Sequence, residues 1–136
     1  MLLDPALLAL FDAPNYVHLA TLRSDGSPRN WVVWVGLDGD RLLVCTGEGA
    51  WKAKDMRRDP RVALSVTDLA NPYQMGAAQG RVVEVRDDSE GHIMDDISRK
   101  YTGEPFPMRG PGRVCFVIEI DRGAVRTLGF THAPGD

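Results

Sequence analysis

RLLVCTGEGAWKAKDMRRDPRVALSV, Arg41 to Val66, is the stretch whose reading decides the fold. RLLVCT (41–46) reads as a strand. GEGAWKAKDMRRDP (47–60) changes period: Ala50, Ala53 and Met56 recur at helical spacing, and Pro60 stops the run. RVALSV (61–66) is a strand again. Five cations (Lys52, Lys54, Arg57, Arg58 and Arg61) fall within this stretch of a chain whose formal net charge is −3. Thr46-Gly47 ends one strand and Gly49 precedes the helix. Free backbone N–H groups and the positive end of the helix dipole meet there, which suits an anion. Lys52, in the first helical turn, can reach the same anion. The plainer reading is a solvated helix face with Asp55 and Asp59 beside the cations.

Working outward, Asp4-Pro5 reads as a cap followed by proline at the first helical position, opening a helix over about 5–11. YVHLATL (16–22), PRNWVVWVGL (28–37) and RLLVCT are three strands joined by the turns SDGS and DGD, a meander. YQMGAAQGRVVEV (73–85) is a long strand in which Gly76 and Gly80 mark a bend, a bulge or a close backbone approach. DSEGHIMDDISRKY (88–101) is a helix with Ser89 at its N-cap and Gly103 at its C-terminal cap. RVCFVIEI (113–120) and AVRTLGF (124–130) are two closing strands.

Six or seven short strands with intervening helices imply a mainly β fold, a small antiparallel barrel. In WVVWV, Trp31, Val33 and Val35 point one way and Val32 and Trp34 the other. A strand apolar on both faces needs cover outside as well as inside, so a homodimer is expected.

With 136 residues the chain has the size of one domain, here taken as 1–136. Its mild acidity argues against a general nucleic-acid binder and makes the basic cluster a local feature. Cys45 and Cys115 each sit in an apolar run and form no close pair in sequence, so both read as reduced core thiols and no metal site is expected. The N-terminal run has no basic segment and contains Asp4 and Pro5, unlike a signal peptide. No run approaches membrane-spanning length, and the cytoplasm is the expected location. No acid–base catalyst stands out. His18 reads as a structural strand histidine, His92 as solvent-facing and His132 as part of the tail.

The pattern K-x-K-D-M-R-R-D-P-R-V after a strand ending in Thr resembles the phosphate-binding segment of the flavin-reductase-like split β-barrel family. That family includes the pyridoxamine 5′-phosphate oxidases and oxidoreductases that use the deazaflavin coenzyme F420. The resemblance extends through HLATLRSDGSPRNWVVWV, NPYQMGAAQGRVVEV and ISRKYTGEPFP, roughly residues 14–120. It implies an FMN-binding-like split β-barrel completed as a homodimer. By the same resemblance, Lys52 holds the cofactor phosphate and Arg57 makes a second anion contact, to the oligoglutamate tail of F420. Arg29, Asn30, Trp31, Val32, Val33 and Trp34 line the strand that passes the ribityl chain and ring. Cys45 and Thr46 lie beside the ring, with Trp51 next to the phosphate lysine. Tyr73, Gln74 and Met75 reach in from the other subunit.

FMN members commonly carry Arg immediately before the phosphate lysine, where this chain has Trp51. A row of cations suits a long acidic tail. The expectation is therefore an F420-dependent reductase that passes a hydride to an unsaturated organic acceptor bordered by Phe106, Met108 and Arg109. An FMN-dependent oxidoreductase and a non-catalytic flavin or deazaflavin carrier remain as alternatives. The terminal TLGFTHAPGD lacks the basic substrate segment of the pyridoxal-phosphate-making oxidases. Hydride chemistry belongs to the cofactor, so no catalytic side chain is named.

Overall fold

The computed structural model describes residues 3–130; His132 lies outside them. Helix α1 (Pro5–Asp12) starts where Asp4 accepts the Ala6 N–H at 2.9 Å and Pro5 occupies the first turn. It is followed by β1 (Val17–Leu22), β2 (Pro28–Val33), β3 (Gly36–Asp38), β4 (Arg41–Gly47), α2 (Trp51–Arg58), β5 (Arg61–Thr67), β6 (Gln74–Asp87), α3 (His92–Thr102) and β7 (Arg113–Thr127). The strands form one antiparallel sheet in the order β2-β1-β5-β6-β7-β4-β3.

That order corrects the expected meander. The run 28–37 is not one strand: it divides at Trp34-Val35, with β2 pairing to β1 and β3 pairing to β4. Because β2 and β3 are the two edges of the sheet, the linker must bridge them. Val33 and Gly36 are at most about 11 Å apart at ~3.8 Å per Cα step. The seven strands therefore curl until their edges nearly meet, giving a barrel split at this seam. Val35 is fully buried there, and its N–H is taken by the Tyr101 hydroxyl at 3.3 Å.

The barrel interior holds Phe11, Val17, Val35, Leu42, Val44, Phe116 and Ile118, all inaccessible to solvent. Gly76 and Gly80 are close approaches, as expected. A Cβ on Gly76 would lie 2.7 Å from Leu7 Cδ1, and one on Gly80 would lie 2.2 Å from the Glu119 carbonyl oxygen. A register shift between Gln79 and Gly80 lets β7 continue through Asp121–Gly123, so the two expected closing strands are one. Helix α3 covers the outside of β4 and β7 over a second cluster of Leu43, Met94, Ile97, Cys115 and Val117.

Two other local readings change. The α3 N-cap is Gly91, and Asp88 rather than Ser89 satisfies the helix N–H groups, accepting from Ile93 at 2.9 Å and Met94 at 3.0 Å. Ser89 instead donates to Asp87. Cys45 and Cys115 stand directly opposite each other in the β4–β7 ladder, both as free thiols. The neighbouring Cys115 thiol, together with burial, pushes the Cys45 thiol pKa up. Of the residues in WVVWV, Val33 and Val35 are buried, Trp31 and Val32 are exposed, and Trp34 stacks on Tyr101 with ring centroids 5.0 Å apart.

Candidate functional site

Helix α2 closes one end of the barrel by burying Ala53 and Met56 in the core. Its N-cap is Ala50, and no side chain caps its first turn. The opening N–H groups of α2 thus lack the side-chain acceptors that Asp4 gives α1 and Asp88 gives α3. The Ala50 N–H bonds the Gly47 carbonyl at 3.0 Å, folding the end of β4 back against the helix start. This is the strand–glycine–helix junction expected from the sequence.

The five cations divide. Arg57 is held by Glu48, Arg58 by Asp55 and Arg61 by Asp59. Lys54 places its ammonium 4.5 Å from the Trp51 ring centroid. Lys52 is partly buried and has no hydrogen-bond or carboxylate partner among the described residues. Burial, aided by the nearby positive charge of Arg113, depresses the Lys52 pKa below the ordinary lysine value. An anion at this place would relieve both effects.

Asp55 organises the other flank. Its buried carboxylate accepts from Thr21 Oγ1 at 2.7 Å, Arg29 Nε at 2.7 Å and Arg58 Nη2 at 2.9 Å. Burial acts to raise its pKa, but these donors outweigh it and hold the carboxyl below the usual range. Arg29 is thereby fixed with its guanidinium 5.4 Å from the Trp51 ring centroid. Trp31, on the same face of β2 as Arg29, and Trp51 are each 63% exposed.

The expected site residues therefore separate into groups. Arg29, Thr46, Trp51, Lys52 and Arg57 lie on or against α2 and the end of β4, and Trp31 lies two residues along β2 from Arg29 on the same face. Asn30 and Val32 face the opposite side of β2, and Val33 is in the core. Trp34 and Cys45 lie beneath α3 with Tyr101 and Phe106. Tyr73, Gln74 and Met75 are not brought to the α2 group. They sit at the start of β6, whose far end, Asp87, lies beside Val114. The strand is fourteen residues long, so its ends lie on the order of 40 Å apart at ~3.3 Å per residue. Val33 is nearer to this start, three strands away in the row Gly76–Val66–Val17–Val33.

The 103–112 segment is tied down rather than open. Arg109 makes two hydrogen bonds to Asp95, at 2.9 and 2.7 Å, and the Phe106 N–H bonds the same carboxylate at 3.0 Å. Phe106 also packs edge-on against Trp34, with centroids 6.3 Å apart. Met108 stays exposed. His18 is exposed on β1 rather than satisfied inside the barrel, and His92 is solvent-facing as expected. Asp55, Asp95 and Arg113 were not singled out from sequence. Their significance lies in partners that only the folded chain brings close.

Residues 3–126 match the family model of pyridoxamine 5′-phosphate oxidase. The chain belongs to this family. Its members are oxidoreductase-like, and the sheet described above is their split β-barrel. Among solved structures, an F420 reductase is 28% identical with a TM-score of 0.80, covering 90% of this chain and 98% of the other. A conserved hypothetical protein from Mycobacterium tuberculosis is 21% identical with a TM-score of 0.78, covering 100% of this chain and 94% of the other. General Stress Protein 26 from Bacillus anthracis is 16% identical with a TM-score of 0.69, covering 89% and 91%. The last two likenesses concern the fold alone. No curated protein matches the sequence. No helix among the described residues is long and apolar enough to cross a membrane.

Proposed function

We propose that the protein is an F420-dependent reductase, acting as a homodimer on an unsaturated organic acceptor. The observation that carries this reading is Lys52, a partly buried cation without an anionic partner among the described residues, at the uncapped start of α2. These features fit a phosphate, which Lys52 and the free N–H groups of α2 would hold. When bound, the reduced deazaflavin supplies the hydride. The chain's own part is to bind, orient and exclude water. Arg29, locked by Asp55, and the exposed rings of Trp31 and Trp51 offer a charged and apolar border. Met108 is left to meet the acceptor, because Arg109 and Phe106 are engaged with Asp95.

The choice of F420 rests on the 28% identical F420 reductase more than on the cation row, since Glu48, Asp55 and Asp59 already neutralise three of its members. Contact of Arg57 with an acidic tail would require exchange with Glu48. FMN is the second reading, favoured by the family match to the oxidases.

Reach and an uncovered face support the dimer. Tyr73–Met75 contribute to the site if they come from a second copy. The outward residues of β1, β5, β6 and β7 include Ala20, Ala63, Ser65, Ala77 and Ala124, which no helix covers and which form flat ground for another sheet. A cleft of about 560 Å³, lined in part by Gln79 and Arg122, opens on this face.

Titration with F420 and with FMN, followed by tryptophan fluorescence, tests the reading. Lys52→Ala is expected to weaken binding by about ten- to a hundredfold, the range for losing a charged hydrogen bond. Undiminished binding by this variant contradicts the placement of the phosphate. Binding with no turnover across quinones and enones would favour the carrier reading.

A further inference from the structure

Arg113 opens β7 directly across from Gly47, the last residue of β4. The backbone locks this position: the Glu48 N–H bonds the Gly112 carbonyl at 2.8 Å. A Cβ on Gly47 would sit 3.8 Å from Arg113 Nη1, so the guanidinium lies over a strand end that carries no side chain. The face of Phe106 lies beneath it, 5.5 Å from ring centroid to Cζ. Nine of the chain's other arginines have carboxylate partners. Arg23, Arg122 and Arg126, which have none among the described residues, are exposed. Arg113 is partly buried and also has none.

Two partly buried cations, Arg113 and Lys52, thus flank the β4–α2 junction, and neither has an ion-pair partner among the described residues. The buried Asp88, whose N–H bonds the Arg113 carbonyl at 2.9 Å, spends its carboxylate on the Ile93 and Met94 N–H groups. Packing like charges together away from water is unfavourable unless an anion joins them. A planar guanidinium supported on an aromatic face is suited to gripping two oxygens of one phosphate. Resting on the cofactor site proposed above, we infer that Arg113 is a second phosphate-binding residue, which with Lys52 clamps the phosphate of a flavin or deazaflavin nucleotide from the β7 side. The pair makes the site selective for phosphorylated over phosphate-free ring systems.

The test compares wild type, Arg113→Met and Arg113→Lys against two ligand pairs: FMN with riboflavin, and F420 with its phosphate-free deazaflavin chromophore. The methionine variant keeps an apolar stem on Phe106. It is expected to weaken the phosphorylated ligand by about tenfold or more while leaving its phosphate-free counterpart unchanged. Lysine, which keeps the charge without the fork, should fall between. If the methionine variant does not fold, the lysine variant carries the same comparison. Unchanged affinity for the phosphorylated ligand overturns the role of Arg113 while the cofactor reading stands. Equal losses for both members of a pair also overturn it, because they indicate a structural role. If wild type binds none of the four ligands, the cofactor reading itself fails, and the assignment of Arg113 falls with it.

Discussion

Asp55 shows how far a single residue governs the site. From sequence it is one of two acids beside five cations, and the solvated-face reading used it only as a neighbour. In the fold it is buried and takes up Arg29 from β2 as well as Arg58 from its own helix. The cation run was legible, with its carboxylate neighbours Glu48, Asp55 and Asp59 in the same stretch. That Arg29 and Arg113 join it was not, because they arrive through sheet pairing. Asp55→Ala should cost about 3–5 kcal/mol, the usual penalty for removing one partner from a buried ion pair, measured by denaturant unfolding. The Asp55 pKa is depressed in the folded state, so its stabilisation is present above the unfolded value of about 4 and is lost as pH falls through the folded value. Asp55→Asn should flatten the acid limb of the stability profile below about pH 4. An unchanged acid limb would show that other carboxylates dominate it.

At the scale of elements, α1, α2, the β1–β2 turn and the αL cap at Gly103 were readable, because caps, prolines and glycines act over a few residues. The division of 28–37 was not. WVVWV is a continuous strand pattern locally, and it breaks only because the two edges of the sheet must close on each other. The opposition of Cys45 and Cys115 was hidden for the same reason: register between distant strands leaves no local signal. The start of α3 was misplaced onto Ser89 because serine is a common cap, whereas Asp88 reaches two N–H groups from a buried position. Asp88→Ala should therefore destabilise the protein by about 1–2 kcal/mol, and Ser89→Ala by much less. Comparing the two melting temperatures checks the assignment, and a reversed order would contradict it.

At the scale of the whole molecule, the barrel was legible from strand count and alternation, and the family from the basic helix in its sequence setting. The proposed site draws Tyr73–Met75 from a second copy, since they stand at the far end of β6 from Asp87. Light scattering should give the mass of a dimer. Ala77→Arg, placed on the uncovered face, should shift the protein toward monomer and weaken cofactor binding with it. A wild-type monomer that binds cofactor fully would refute the shared site. The most direct measurement is the titration of the purified protein with F420 and, separately, with FMN, following quenching of Trp31, Trp34 and Trp51 fluorescence. Saturable binding of F420 in preference to FMN, greatly weakened by Lys52→Ala, is the result this account predicts. Preferential FMN binding would contradict the choice of cofactor, and binding of neither would return the basic helix to the role of a solvated face.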